Sequence, residues 1–411
     1  MIKTLGKQLK EFRKDSILTP CFMIIEVIME MVIPLMMASI IDKGVNVGDI
    51  HHIYKMGVYM VVAAAIGLWA GIMGGKYGAR ASAGFARNLR KGMYENIQTF
   101  SFANIDKFST AGLVTRMTTD VTNIQNAYQM MLRMCIRALF SLICAMCMSF
   151  FISPRLASIY LCAVLILGSI LGCIIYFATR YFNQVFPKYD DLNESVQENV
   201  SAIRVVKAFV REDYERTRFT KASGSLYNMF VKAERVVSMN APVMMATVYT
   251  CILLISWVGA KMVVGSSLAT GELMSLFTYC MNILMSLMML SMVFVMISMS
   301  TASAKRIAEV LEEKSSLTNP ENPDMEVPDG SIRFEHVNFR YKENAKEWVL
   351  QDINLDIHSG ETIGIIGGTG SAKSSLANLI SRIYDVSEGS VKVGGKDVRE
   401  YDLETLRTEV A

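Results

Sequence analysis

"ETIGIIGGTGSAKSSLANLI", Glu361–Ile380, joins a short β-branched apolar run to a glycine-rich loop and then to a helical pattern. Strand, loop and helix in that order are the setting a phosphate-binding loop requires. The pattern G-x-x-x-x-G-K-[ST] is met at Gly367, Lys373 and Ser374, with Ala372 standing where the last glycine is expected. Across Gly367, Gly368, Thr369, Gly370 and Ser371 such a loop turns successive backbone N–H groups toward phosphates, and the following helix presents its positive end. Lys373 would reach the β- and γ-phosphates of ATP, and the Ser374 hydroxyl, with Ser375 beside it, would hold Mg²⁺. A Cβ at position 372 restricts positive φ, at about 1–2 kcal/mol if left-handed geometry is needed. A dinucleotide fingerprint fails, because no Gly or Ala follows Gly368 and Gly370 at the required spacing.

Upstream, "SIRFEHVNFRY" alternates as a strand and "VLQDINLDI" reads as the next one, so a domain is expected over residues 330–411. Residues 301–329, an amphipathic helix and then a Pro/Asn/Asp-rich linker, connect it to what precedes. "TIGIIG", Thr362–Gly367, is expected as a central parallel strand, which needs neighbours on both edges and helices on both faces. Much of that cover lies outside these residues, so this region is expected to fold poorly alone.

The rest of the chain is apolar. Its 411 residues are 52% hydrophobic and 19% charged, which points to a membrane protein. Runs of about twenty apolar residues, enough to cross a hydrocarbon core of about 30 Å, fall at Ile17–Ile41, Ile53–Ala79, Leu132–Ile152, Ala157–Ala178, Ala241–Val264 and Leu273–Ser298. Short connections follow the first, third and fifth, and long basic ones follow the second and fourth. By the positive-inside bias the long connections and both termini lie in the cytoplasm. Residues 1–16, with Leu5, Leu9 and Phe12 on one face, suit a cytosolic or interfacial helix. A net charge of +3 without a Lys/Arg run excludes a nucleic-acid stripe.

Glu26 and Glu30 share one face of the first span, where carboxylates are costly. They suit either an interhelical hydrogen-bonded pair beside a water-filled cavity or a cation or proton site. Met281, Met285, Met288, Met292, Met296 and Met299 form a stripe on the last span. The stripe reads as helix packing or as a pliable cavity wall, with Glu26, Glu30, Met285 and Met292 as the candidate lining. All eight cysteines fall in apolar segments, and Cys144–Cys147 lacks a second pair for a metal site.

"ANIDKFSTAGLVTRMTTDVTNIQ", "QENVSAIRVVKAFVREDYERTRF", "SAKRIAEVLEE", "VNFRY", "GIIGGTGSAKSSLANLISRIYDVSEGSVKVGG" and "DVREYDLETLR" together resemble a half-transporter of the ATP-binding cassette (ABC) exporter family, bacterial multidrug-type branch. The resemblance implies an α-helical membrane protein, with a six-helix type-1 transmembrane domain over residues 17–300 and an incomplete α/β P-loop nucleotide-binding domain after it. It implies a bacterial cytoplasmic membrane, an amphipathic or drug-like substrate, and a second half-transporter as homo- or heterodimeric partner. Tyr341 matches the aromatic that stacks on adenine. Coupling helices map to about Ser109–Met117 and Glu212–Arg218. The family's glutamine loop, signature, Walker B pair and switch histidine are not met before Ala411, so efficient hydrolysis is not expected of these residues alone. A non-catalytic membrane fragment or regulatory partner is the other reading.

Overall fold

The computed structural model describes residues 1–410 apart from 342–344 and 346. By compactness the chain divides into two units. One comprises Glu11–Gly84 and Gln125–Thr301; the other comprises Met1–Lys10, Phe85–Ile124 and Ala302–Ala411.

The first unit holds the spans, carried by helices α2 (Arg13–Ser39), α3 (Ile50–Ile97), α7 (Ile136–Ile152), α8 (Pro154–Ser201), α11 (Asn240–Val264) and α12 (Thr270–Glu312). Each lies in a helical stretch long and apolar enough to cross a membrane, and the chain is an integral membrane protein. Within lipid no hydrophobic force draws helices together, so small residues and interhelical hydrogen bonds must do so. On α12 they recur every fourth residue. Gly271 N–H donates to Asp42 at 2.7 Å, Ser275 Oγ to the Pro34 carbonyl at 2.6 Å, and Tyr279 Oη to the Met31 carbonyl at 2.7 Å. A Cβ at Gly271 would stand 2.5 Å from the Ala38 carbonyl oxygen, so only glycine allows this approach. Around this seam Val27, Tyr160, Ile255, Leu276 and Ile283 form the buried core.

Helices α8 and α10 (Glu212–Ser238) extend beyond the spans and are joined by the short α9 (Ile203–Ala208). The coupling segment expected at Glu212–Arg218 lies instead inside the long α10. Positive φ at Val210 ends the turn and lets α10 start afresh.

In the second unit α1 (Ile2–Lys7) buries Leu5, and the Gln8 carbonyl accepts from Asn88 Nδ2 at 3.0 Å. The apolar face expected at the headgroups is thus covered by protein at Leu5. Ser101 and Asn104 form a reciprocal capping box that starts α4 (Phe102–Phe108), and α5 (Thr110–Thr115) follows. Asn96 Nδ2 donates to the carbonyls of Val310 and Glu313 at 2.7 and 2.9 Å, and Asn104 Nδ2 to that of Lys314 at 3.0 Å. These side chains satisfy carbonyls that the end of α12 leaves open. Asp120, almost fully buried, accepts from Ser303 at 2.8 Å and from Arg306 Nε at 2.7 Å.

Beyond α12, strands β1 (Ile332–Phe339), β2 (Leu350–Ile357), β3 (Glu388–Val393) and β4 (Lys396–Asp397) form an antiparallel sheet of order β2-β1-β3-β4. Phe334 faces Leu355 on one side and Val391 on the other. Gly394 and Gly395, both at positive φ, make the two-residue turn between β3 and β4. Helices α13 (Lys373–Ile380) and α14 (Leu403–Glu409) contribute Leu379 and Leu406 to a core with Phe334, Val337, Phe339 and Tyr401. The parallel strand expected at Thr362–Gly367 does not form: these residues pair with no strand, and Ile366 is fully exposed. A parallel strand needs a parallel neighbour, and every described strand of this sheet pairs antiparallel.

Candidate functional site

Gly367–Ser371 reaches the first turn of α13 through Ala372, whose backbone is left-handed (φ 60°, ψ 20°). Gly370, at φ +85°, supplies a second left-handed position. The ammonium of Lys373 folds back over the loop and donates to the carbonyls of Gly367 and Gly368 at 2.8 and 2.7 Å and to Ser371 Oγ at 3.2 Å. A Cβ at Gly367 would come within 2.5 Å of Ser371 Oγ, whereas Gly368 and Gly370 face open space. Ser374 is exposed on the first turn and Ser375 is buried.

This arrangement fits a nucleotide's phosphates. It has an open glycine cradle, the N-terminal end of an eight-residue helix, and a cation whose present acceptors are neutral oxygens that an anionic phosphate would outcompete. For Mg²⁺ the exposed Ser374 hydroxyl is the available donor at this end of the helix. No cluster of three or more His, Cys, Asp or Glu suited to a metal occurs among the described residues.

Tyr341, about half exposed, is brought against this helix. Its hydroxyl lies 2.7 Å from Ser375 Oγ, and its ring meets those of Phe339 and Tyr384 edge-on at 4.9 and 5.1 Å. Tyr384 Oη in turn donates to Asp106 Oδ2 at 2.8 Å, and its ring lies 6.2 Å from that of Phe102. Burial, then the neighbouring Asp106 carboxylate, pushes the Tyr384 phenol up to about 12, so it stays a donor throughout the physiological range. Helix α13 is therefore linked by side chains to α4, upstream of the coupling segment expected at Ser109–Met117. Tyr384 and Asp106 escaped the sequence reading because they meet only across the fold.

In the membrane unit Glu26 and Glu30 come together on one guanidinium. Arg137 Nη1 donates to Glu26 Oε1 at 2.6 Å and Nη2 to Glu30 Oε2 at 3.0 Å. A cavity of about 630 Å³ opens beside them, lined by Arg133, Arg137, Gly67, Gly71 and Gly75. A second, of about 450 Å³, shares Arg133 and Arg137 and adds Met23, Met130, Met289 and Met296. Met285 and Met292 lie outside both and are exposed. Arg133 and Arg137 were missed in the sequence, where two arginines at the mouth of an apolar run were the available signal. The cysteines are free thiols.

Spans of membrane length together with a glycine cradle before a helix define a membrane protein with a nucleotide-binding region. Residues 16–288 match the ABC transporter transmembrane region, and residues 350–411 match the ABC transporter family. The chain belongs to the ABC transporter family, among its exporters. It is similar to the ABC transporter ATP-binding protein YfiB of Bacillus subtilis, at 32% identity over 94% of this chain and 67% of that protein. It is also similar to the ABC transporter ATP-binding protein Rv1273c of Mycobacterium tuberculosis, at 31% identity over 99% of this chain and 70% of that one. The ATP-dependent lipid A-core flippase of Hahella chejuensis is 26% identical over 86% of this chain and 61% of its own length. Membership of this family implies nucleotide binding.

Proposed function

We propose that the chain is a subunit of an ATP-driven exporter that moves an amphipathic compound out of the cytoplasm in partnership with a second half-transporter. ATP binds at Gly367–Ser375 with its adenine against Tyr341, and Ser374 holds Mg²⁺, which would neutralise phosphate charge. The membrane is the bacterial cytoplasmic membrane, with both termini inside. Residues 17–300 serve as the transmembrane domain and 330–411 as part of the nucleotide-binding domain. What supports the reading is the cradle itself: Lys373 sits over Gly367 and Gly368, directly after a left-handed residue, with Tyr341 hydrogen-bonded to the same helix. One relative is named for a lipid, itself an amphipathic compound.

Binding of trinitrophenyl-ATP to membranes carrying the chain tests this, alone and together with an intact half-transporter. Lys373→Ala should weaken binding at least tenfold. Equal binding with and without the lysine would remove the nucleotide site.

A further inference from the structure

The two arginines that line both membrane cavities differ in their company. Arg137 is paired with Glu26 and Glu30, so both carboxylates of the first span are already committed. Arg133 makes no hydrogen bond or ion pair among the described residues, and its Nε is buried without an acceptor. A guanidinium is charged at every physiological pH, and Arg133, half-buried, lines both cavities with its Nε left without an acceptor. Its place is built in three ways. It sits in the π-helical turn Met131–Cys135 between α6 (Val121–Met130) and α7, a local rewinding that re-aims side chains and recurs at functional sites. It lies along the glycine face of α3, where a Cβ at Gly78 would come 3.0 Å from Arg133 Cδ and one at Gly75 would come 3.7 Å from Nη2. The wall around it combines Met23, Met130 and Met289, which adapt to apolar bodies of varied shape, with the amide side chains of Asn126 and Gln129.

From this geometry we propose that Arg133 is the anion-recognising group of the substrate cavity, and that the exported class is an amphipathic anion. Such a compound carries a phosphate, sulfonate or carboxylate on an apolar body. The inference rests on the exporter reading above and sharpens it. Glu26 and Glu30 do not call for a cationic substrate, because Arg137 pairs with both and the two arginines together balance the two carboxylates in the first cavity. The second cavity is lined by the same arginines without a carboxylate. The guanidinium and the neighbouring amides supply N–H donors to the headgroup, and the methionine wall takes the apolar portion.

The test uses the full chain in phosphatidylcholine nanodiscs, whose lipid carries no net charge. Equilibrium dialysis compares decyl phosphate with decyltrimethylammonium, two amphiphiles with the same tail and opposite headgroups. Decyl phosphate should bind at least tenfold more tightly. Arg133→Gln should abolish that preference and Arg133→Lys, which keeps the charge, should retain most of it. The headgroup comparison on the unaltered chain is independent of whether either variant folds. Competition by phosphatidylglycerol placed in the disc supports a lipid as the source of the anion; retained decyl phosphate binding without that competition supports a soluble amphiphile. Inorganic phosphate competing as well as decyl phosphate would overturn the proposal, since the tail would then play no part. Equal binding of the two amphiphiles, or an unaltered preference in Arg133→Gln, would overturn the anion assignment and leave export of amphiphiles standing. Binding of neither amphiphile would remove the substrate cavity as well, while Lys373-dependent nucleotide binding would still stand or fall by its own measurement.

Discussion

Ala372 sets a methyl-bearing residue at a left-handed position of the loop before α13. The residue adopts φ 60°, where its Cβ crowds the backbone, because the loop must turn sharply before Lys373 enters α13. Left-handed geometry costs a non-glycine residue about 1–2 kcal/mol, and glycine escapes most of that. Ala372→Gly should therefore tighten trinitrophenyl-ATP binding several-fold while leaving the Lys373 contacts in place. An unchanged or weaker affinity in that variant would mean that the left-handed turn carries no strain relevant to the phosphates.

At the scale of elements, the ion pair between Asp120 and Arg306 fixes the approach to α6 against the end of α12. Burial pushes the Asp120 carboxyl up, but hydrogen bonds from Arg306 and Ser303 and the charges of Arg306 and Arg116 together hold it below its ordinary value of 3.8. A carboxyl lowered in the folded state contributes stability that is fully present above its unfolded value and lost as pH falls through the folded one. The contribution should thus be flat from pH 7 to pH 5 and disappear only below 3.8. Asp120→Asn should lower the thermal midpoint of the detergent-solubilised chain at pH 7, with a loss of about 1 kcal/mol of stability, because Arg306 is nearly half exposed and water screens the charge left behind. The gap between variant and parent should narrow on acidification below pH 4. A gap that stays constant down to pH 3 would show that charge plays no part.

For the molecule as a whole, the charge asymmetry of the connections makes a topological prediction. Asn46 and Ser266 lie in the short connections after the first and fifth spans, and Arg399 lies in the nucleotide-binding region. In intact cells a membrane-impermeant maleimide should label Asn46→Cys and Ser266→Cys above the parent's background, and Arg399→Cys only after lysis. Labelling of Arg399→Cys from outside would invert the proposed orientation and place the cradle away from cytoplasmic ATP.

The sequence by itself determined the spans, because twenty-odd consecutive apolar residues are a local property that no tertiary contact has to supply. It determined the glycine turn before α13 too, since Gly367–Ser371, Ala372 and Lys373 are contiguous in the chain. What only the tertiary structure decided is which distant residues meet. Glu26 and Glu30 found their partner in Arg137, more than a hundred residues away, and Tyr341 reached Ser375, Tyr384 and, through it, Asp106. The strand expected at Thr362–Gly367 fell to the same cause. Its β-branched run is a local preference, but a strand forms only where a neighbour can pair with its backbone, and pairing is settled between segments.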